Sequence, residues 1–422
     1  MSKPPKNKTL LIRIGVLSFI LGMVLTFAVL NYASHHTFSD YHFIDLAVPN
    51  PLVTDNPYPV RKVWRPVEST NPNVSHFIYR DVNRNGIYDI GDRPMVGIAV
   101  RLTRPDGSHV IRRSNIHGFV NFTNSLTATP VDVSQPGDYE FEVLIPDGWM
   151  ITSDNAIQTA RYDIKPGSRP GIVADQIPVP AGLAQVLTVS GQLVTADGQA
   201  AGRGIQVTAT SQTGQQQRQA SDRNGYFSFE VEPGHWQIEA LHDGSGQRAQ
   251  REVYIQQAPV RLSKLILDDA PLEPIVDPKV VDFEDITLSP ITKMPNGPAG
   301  LAWHNLIPTD NEFYRGEGYI NSTMSGRYVG YNTSGYPVTI SHPDGFNFHG
   351  GYFGVAWMTA EGETLHIRAW RDDQLIGSES YTLSALGSFW FDADYRNITR
   401  LELSTEHYWQ FVTDDLVLSV NK

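Results

Sequence analysis

The chain has 422 residues, a length that as a prior holds about three domains. It contains no cysteine, which excludes disulfides, thiolate zinc and cysteine nucleophiles. Its formal net charge of -12 argues against nucleic acid as a partner, because phosphate binding asks for a basic face.

The first element is an address. Lys3, Lys6 and Lys8 precede an apolar run from Leu10 to Leu30, broken only by Arg13. About twenty such residues cross a bilayer as a helix, and Arg13 lies near enough to its start to snorkel to the headgroups. The positive-inside rule then places residues 1–9 in the cytoplasm and the bulk of the chain outside, on a single N-in membrane helix at 10–30. A cleaved signal peptide is the rival reading. Its apolar core is normally shorter, and Val29-Leu-Asn-Tyr-Ala33 is a poor small-x-small cleavage site. Residues 31–74 read as a stiff, extended linker, with Pro49, Pro51, Pro57, Pro59, Pro66 and Pro72 and little periodicity. His35-His36 lacks a third ligand and reads as polar linker.

The next feature is Asp81-Val-Asn83-Arg-Asn85-Gly86-Ile87-Tyr-Asp89-Ile-Gly-Asp92. Asp81, Asn83, Asn85, Asp89 and Asp92 put side-chain oxygens at loop positions 1, 3, 5, 9 and 12, and Ile87 offers its carbonyl at 7. Gly86 permits the sharp turn at position 6. This spacing suits Ca2+, with Asp92 a shorter arm than the usual Glu. The flanks Phe77-Ile-Tyr79 and Val96 to Leu102 alternate as strands, so a helix–loop–helix sensor is not expected. A metal-free Asn/Asp/Gly turn is the competing reading.

An internal repeat follows. Val100 to Gly107 aligns with Val207 to Gly214, and without gaps Asn115-Ile-His-Gly118-Phe119-Val-Asn-Phe122 falls on Asp222-Arg-Asn-Gly225-Tyr226-Phe-Ser-Phe229. Alternating strands, Tyr139 to Val143 and Trp236 to Ala240, close the two copies. Two β-sandwiches in tandem, at 75–180 and 186–268, are the simplest explanation. The first copy, on its loop, its Gly97-Ile-Ala-Val-Arg-Leu and its Gly118-Phe-Val-Asn-Phe strand, resembles the B domains of serine-aspartate-repeat surface proteins. The second, on Val189-Ser-Gly191-Gln-Leu-Val and Asp222 to Phe229, resembles transthyretin-like, carboxypeptidase-regulatory-like or collagen-binding B-type modules. The resemblance implies prealbumin-like sandwiches used as stalks, with the calcium loop in the first copy alone. Some relatives carry a Lys–Asn isopeptide. Only Lys264 comes near in the second copy, so none is expected.

After the linker at 269–280, residues 281–422 are dense in aromatics, Trp303, Tyr314, Tyr336, Trp357, Trp370, Trp390, Tyr408 and Trp409 among them. The opening Val280 to Leu288 mirrors the closing Phe411 to Val420. With Ser325-Gly326, Phe346-Asn-Phe348 and Gly351-Tyr-Phe-Gly354, the pattern resembles jelly-roll domains of bacterial extracytoplasmic proteins and carbohydrate-binding modules. There the first and last strands pair and often share calcium, which makes Glu284 and Asp415 candidates for a second metal site; the alternative is solvated strand ends. The fold class expected is thus all-β: a transmembrane helix, tandem prealbumin-like sandwiches and a C-terminal jelly roll, in a bacterial cytoplasmic membrane with the domains periplasmic or extracytoplasmic.

Three functions remain open. For glycan binding, Leu365, Ile367 and Ala369 face in, leaving His366, Arg368 and Trp370 outward, and Tyr408 and Trp409 sit near a turn; these five are the candidate contacts, against ordinary packing. Docking onto a cell-envelope protein is the alternative. A polysaccharide-acting enzyme is the least supported: no nucleophile elbow, zinc-protease pair or phosphate loop occurs, and Asp344, Asp392 and Asp394 are the acids it would use.

Overall fold

The computed structural model describes residues 41–46, 61–66, 73–123, 131–164, 172–174, 178–267 and 277–420. The expected tail at 1–9 and membrane helix at 10–30 lie outside them; among the described residues no helix is long and apolar enough to cross a membrane. Regular structure is almost entirely strand. β1 (Tyr41–Leu46) and β2 (Arg61–Pro66) pair antiparallel, so the stretch expected to be linker holds a hairpin. Six-residue strands between prolines are too short to show a period against that composition.

The first module is β3 (Asn73–Arg80), β4 (Arg93–Pro94), β5 (Ala99–Thr103), β6 (His109–Arg113), β7 (Phe119–Thr123), β8 (Gly137–Val143), β9 (Trp149–Ile151), β10 (Ile157–Ile164), β11 (Ile172–Ala174) and β12 (Ala181–Gln185). One sheet runs β11-β10-β8-β5-β6; the other runs β4-β3-β12-β9, with β7 on β3. The alternation read in the sequence faces the core: Val100 and Leu102 from β5, and Tyr139, Phe141 and Val143 from β8, pack with Ile78 and Phe122.

The second module is β13 (Thr188–Val194), β14 (Gln206–Ser211), β15 (Gln216–Ala220), β16 (Tyr226–Glu230), β17 (Gly234–Leu241), β18 (Arg248–Ile255), β19 (Val260–Leu262) and β20 (Leu265–Ile266). Seven of its eight strands have counterparts in the first module. β10-β8-β5-β6 corresponds to β18-β17-β14-β15, and β7-β3-β12 to β16-β13-β19. The match includes the parallel pairs β12 on β3 and β19 on β13. Even the turn chemistry repeats. Asn115 Oδ1 accepts from the N–H groups of His117 and Phe119, and Asp222 Oδ1 from those of Asn224 and Tyr226.

The C-terminal domain holds β21 (Lys279–Val281), β22 (Ala302–His304), β23 (Leu306–Asp310), a short helix α1 (Glu317–Asn321), β24 (Tyr328–Asn332), β25 (Val338–Val355), β26 (Thr364–Arg371), β27 (Gln374–Thr382), β28 (Phe389–Thr405) and β29 (Phe411–Val420). β25 and β28 are long and shift register at bulges, which lets them bend around Phe346, Phe348, Phe353 and Phe391. First and last strands do pair, Lys279 opposite Leu418 and Val281 opposite Leu416.

The domains are not separate beads. β19 pairs parallel with β28, from Val260 opposite Trp390 to Leu262 opposite Asp392, so a sheet of the second module runs on into the C-terminal domain. Asn321 docks the first module on α1: its side chain accepts from Val96 N at 3.1 Å and donates to Val96 O at 3.0 Å.

Candidate functional site

The acidic loop sits between β3 and β4, and Asp81 is its buried anchor at 1% exposure. Asp81 Oδ2 accepts from Gly86 N at 2.7 Å and Oδ1 from Asn85 N at 3.2 Å. Asp92 closes the far end, accepting from Val82 N and Asp89 N, both at 2.9 Å. Asn83 Nδ2 and Asn85 Nδ2 donate to the two oxygens of Asp89, at 3.0 and 2.7 Å, while Ile87 N donates to Asn85 Oδ1 at 2.8 Å. Gly86 has φ +74, and a Cβ there would lie 2.6 Å from Thr152 O, so the loop folds only with glycine at this point.

All six positions named from the sequence therefore meet in one turn. Three carboxylates share it, and Arg84, the loop's own arginine, reaches away to Gln185 O. Burial pushes the Asp92 carboxyl up to about 7; its backbone hydrogen bonds oppose this and the charges of Asp81 and Asp89 add to it. The donor set suits a hard cation in chemistry, since the turn is rich in oxygens and short of positive charge. The neutral amides of Asn83 and Asn85 donate to the Asp89 oxygens. Among the described residues no group of three or more His, Asp or Glu side chains is placed to hold a metal ion.

Glu284 and Asp415 also approach each other. Glu284 Oε1 accepts from Tyr328 N at 2.6 Å and from Arg327 N, and Asp415 Oδ1 accepts from Ser325 Oγ at 2.6 Å. Burial raises the Asp415 carboxyl, and nearby Asp282 and Glu284 raise it further, against Arg93 of the first module. Both acids hold the turn before β24.

The five proposed ligand contacts fall in two places. On β26, Leu365, Ile367 and Ala369 are fully buried, and His366, Arg368 and Trp370 are half-buried on the outer face. Each has a partner: His366 Nδ1 with Ser380 Oγ at 2.8 Å, Arg368 with Glu402 at 3.2 Å, and Trp370 under the Arg400 guanidinium at 4.1 Å. Tyr408 and Trp409 lie instead in the β28–β29 turn, 65% and 39% exposed. The Trp409 carbonyl is held by Thr405 Oγ1 at 2.7 Å and Asn332 Nδ2 at 3.4 Å, which turns the rings outward. Tyr336, 60% exposed, stands edge-on to Tyr408 with ring centroids 6.2 Å apart. Beyond Asn332, Tyr331 bonds the Tyr314 hydroxyl at 2.8 Å, and Phe313 is exposed beside it. Tyr336 meets Tyr408 only through the fold, since seventy-two positions separate the two rings in the sequence.

Two of the three acids considered for catalysis are held in ion pairs. Asp392 and Asp394 meet Arg251 of the second module at 3.0 and 3.3 Å, and Asp394 also meets Arg396 at 2.8 Å. Asp344 is exposed.

No family model and no curated protein matches the chain. Among solved structures it is similar to the Bacillus anthracis TIE protein, at 8% identity and TM-score 0.22, covering 82% of this chain and 46% of that one. It is similar to the shaft pilin SpaA from Lactobacillus rhamnosus GG, at 11% identity and TM-score 0.22, covering 48% and 100%. The minor pilin of Streptococcus agalactiae is matched at 11% identity and TM-score 0.19, covering 49% and 100%. The chain spans under half the length of the TIE chain. Likenesses at this level leave the fold to rest on the strand pairing described above.

Proposed function

We propose that this chain is a membrane-anchored extracytoplasmic binding protein, in which two tandem sandwiches carry a C-terminal domain that binds glycan. The observation that carries the reading is the pair of exposed rings Tyr408 and Trp409, presented by a turn whose Trp409 carbonyl is held by Thr405 and Asn332, with exposed Tyr336 beside Tyr408. Sugar rings offer apolar C–H faces to such side chains, and fixed aromatics lose little entropy on binding. Ca2+ belongs to the first module in this reading. Asp81, Asn83, Asn85, Asp89 and Asp92, with the Ile87 carbonyl, would hold it, and it would supply the positive charge that the turn lacks. The role is adhesion or attachment to the envelope, with no catalytic step.

Full-length protein in detergent, titrated with cellotetraose and chitotetraose, tests this. Binding that falls in the Tyr408→Ala, Trp409→Ala double variant supports it, and equal binding by that variant sinks it. Docking onto an envelope protein is the second reading. It is favoured by Leu288, 98% exposed, and by exposed Leu375 and Ile376 at the β26–β27 turn. Saccharide-independent retention on envelope protein, lost in Leu288→Ser, would select it.

A further inference from the structure

A cleft of about 920 Å³ opens between the second module and β27. Its floor is the outer face of β16, β13 and β19, where Ser228 lies opposite Ser190 and Ser190 opposite Arg261. Glu379 and Tyr381 of β27 form a wall. Two cations line it, with two carboxylates, Asp222 and Glu379. Lys264 is engaged, with Nζ donating to Ser378 O at 2.9 Å and 3.8 Å from Glu379. Arg261 is not. Its guanidinium lies 4.9 Å from the Phe389 ring centre and 5.9 Å from that of Tyr381, its Nε is buried without a hydrogen-bond partner, and among the described residues it has no ion pair.

A desolvated cation without a counter-ion is costly, and the two rings offset part of that cost while holding the planar group still. A carboxylate meets such a group with two parallel hydrogen bonds. The lining around it is largely hydroxyl and amide, with Ser190, Ser228, Ser380 and Gln192 among it, and Tyr226 stands at the lip, 52% exposed. Hydroxyls and amides both donate and accept, as sugar hydroxyls require, and the Tyr226 ring offers a stacking face. β16 and β27 are edge strands, and side chains already take some of their edge carbonyls. Gln217 Nε2 donates to Glu230 O at 2.7 Å, and Lys264 Nζ donates to Ser378 O at 2.9 Å.

We propose that this cleft is a second saccharide site, selective for a sugar bearing a carboxylate, with Arg261 on the carboxylate and Tyr226 on the ring. It shares no residue with the exposed aromatic end and stands independently of glycan binding there. The test is titration of the full-length protein in detergent with tetragalacturonic acid, with its methyl ester and with tetraglutamate. The acid is expected to bind, the ester at least tenfold more weakly. Arg261→Gln should lose at least tenfold for the acid and leave the ester unchanged; Tyr226→Ala, at an exposed position that folding does not need, should weaken both. Equal binding of acid and ester, tetraglutamate binding as tight as the acid, or no binding of the acid at millimolar concentration would overturn the proposal.

Discussion

Arg80 Nη1 donates to the backbone carbonyl of Asn321 at 3.2 Å, tying the end of β3 to the C-terminal domain. The same guanidinium donates to Gln257 O of the second module at 3.0 Å and to Gln185 Oε1 at 3.4 Å. It is 5% exposed, lies over the Trp149 ring, and has no ion pair among the described residues. Burial lowers its pKa to about 10, with the charge of Arg93 acting in the same direction. One side chain thus joins three domains through neutral acceptors.

Removing it leaves buried carbonyls without donors. Arg80→Ala is expected to cost about 2–4 kcal/mol, since each orphaned acceptor carries a desolvation penalty. Calorimetry should then show the modules and the C-terminal domain melting separately. A single transition at the parent temperature would show that the junction does not depend on Arg80.

Asp81 follows Arg80 directly, so order in the acidic loop is passed to the junction. Calcium added to the full chain is expected to raise the melting temperature, with affinity on the order of 10⁻⁴–10⁻³ M, the range of calcium sites in extracellular modules. Asp81→Ala should abolish the rise. A rise that survives in Asp81→Ala would move the metal elsewhere, and Asp415→Ala would then test the turn held by Glu284 and Asp415.

Asp92 gives the pH dependence its sign. Its folded pKa, pushed up to about 7, lies above the ordinary carboxylate value of 3.8. Between those values the native state binds the proton more tightly than the unfolded chain, so metal-free stability falls as pH rises from about 4 to 7. Calcium needs the ionised form, so its stabilisation should grow over the same range. Melting curves from pH 4.5 to 7.5, with and without calcium, should converge at the acid end and diverge towards neutrality. Asp92→Asn should make the metal-free curve shallower, with the raised carboxyls of Asp392 and Asp414 keeping part of the slope.

Local period and turn chemistry explain what could be read in advance. Val100 over Val207 and Gly118 over Gly225 mark equivalent strands and turns, because inward alternation and Asx turns are local demands. The outward trio on β26 followed from the same alternation. The β19–β28 pairing did not, since a parallel contact between residues over a hundred positions apart leaves no mark in either strand. Arg80 drew no reading from the sequence, because its acceptors are carbonyls and an amide that no charge pattern reveals. The loop's oxygens were legible by spacing. The donation of Asn83 and Asn85 into Asp89 depends on how the turn closes.

The exposed rings allow binding to be separated from folding. Tyr408 is 65% exposed, so Tyr408→Ala should change stability by less than about 0.5 kcal/mol. If its ring stacks on sugar, the same change should weaken saccharide binding about 5–10-fold, the equivalent of roughly 1–1.5 kcal/mol. Gly335 supports the turn from the other side. It has φ +71, and a Cβ there would lie 1.6 Å from Tyr408 O. Gly335→Ala must therefore displace the Tyr408 backbone, at about 1–3 kcal/mol in stability, and should lose binding as well. Paired melting and titration of the two variants distinguish the roles. Loss of stability alone in Gly335→Ala, with binding intact, would mean that the turn is a structural corner and that sugar is recognised elsewhere.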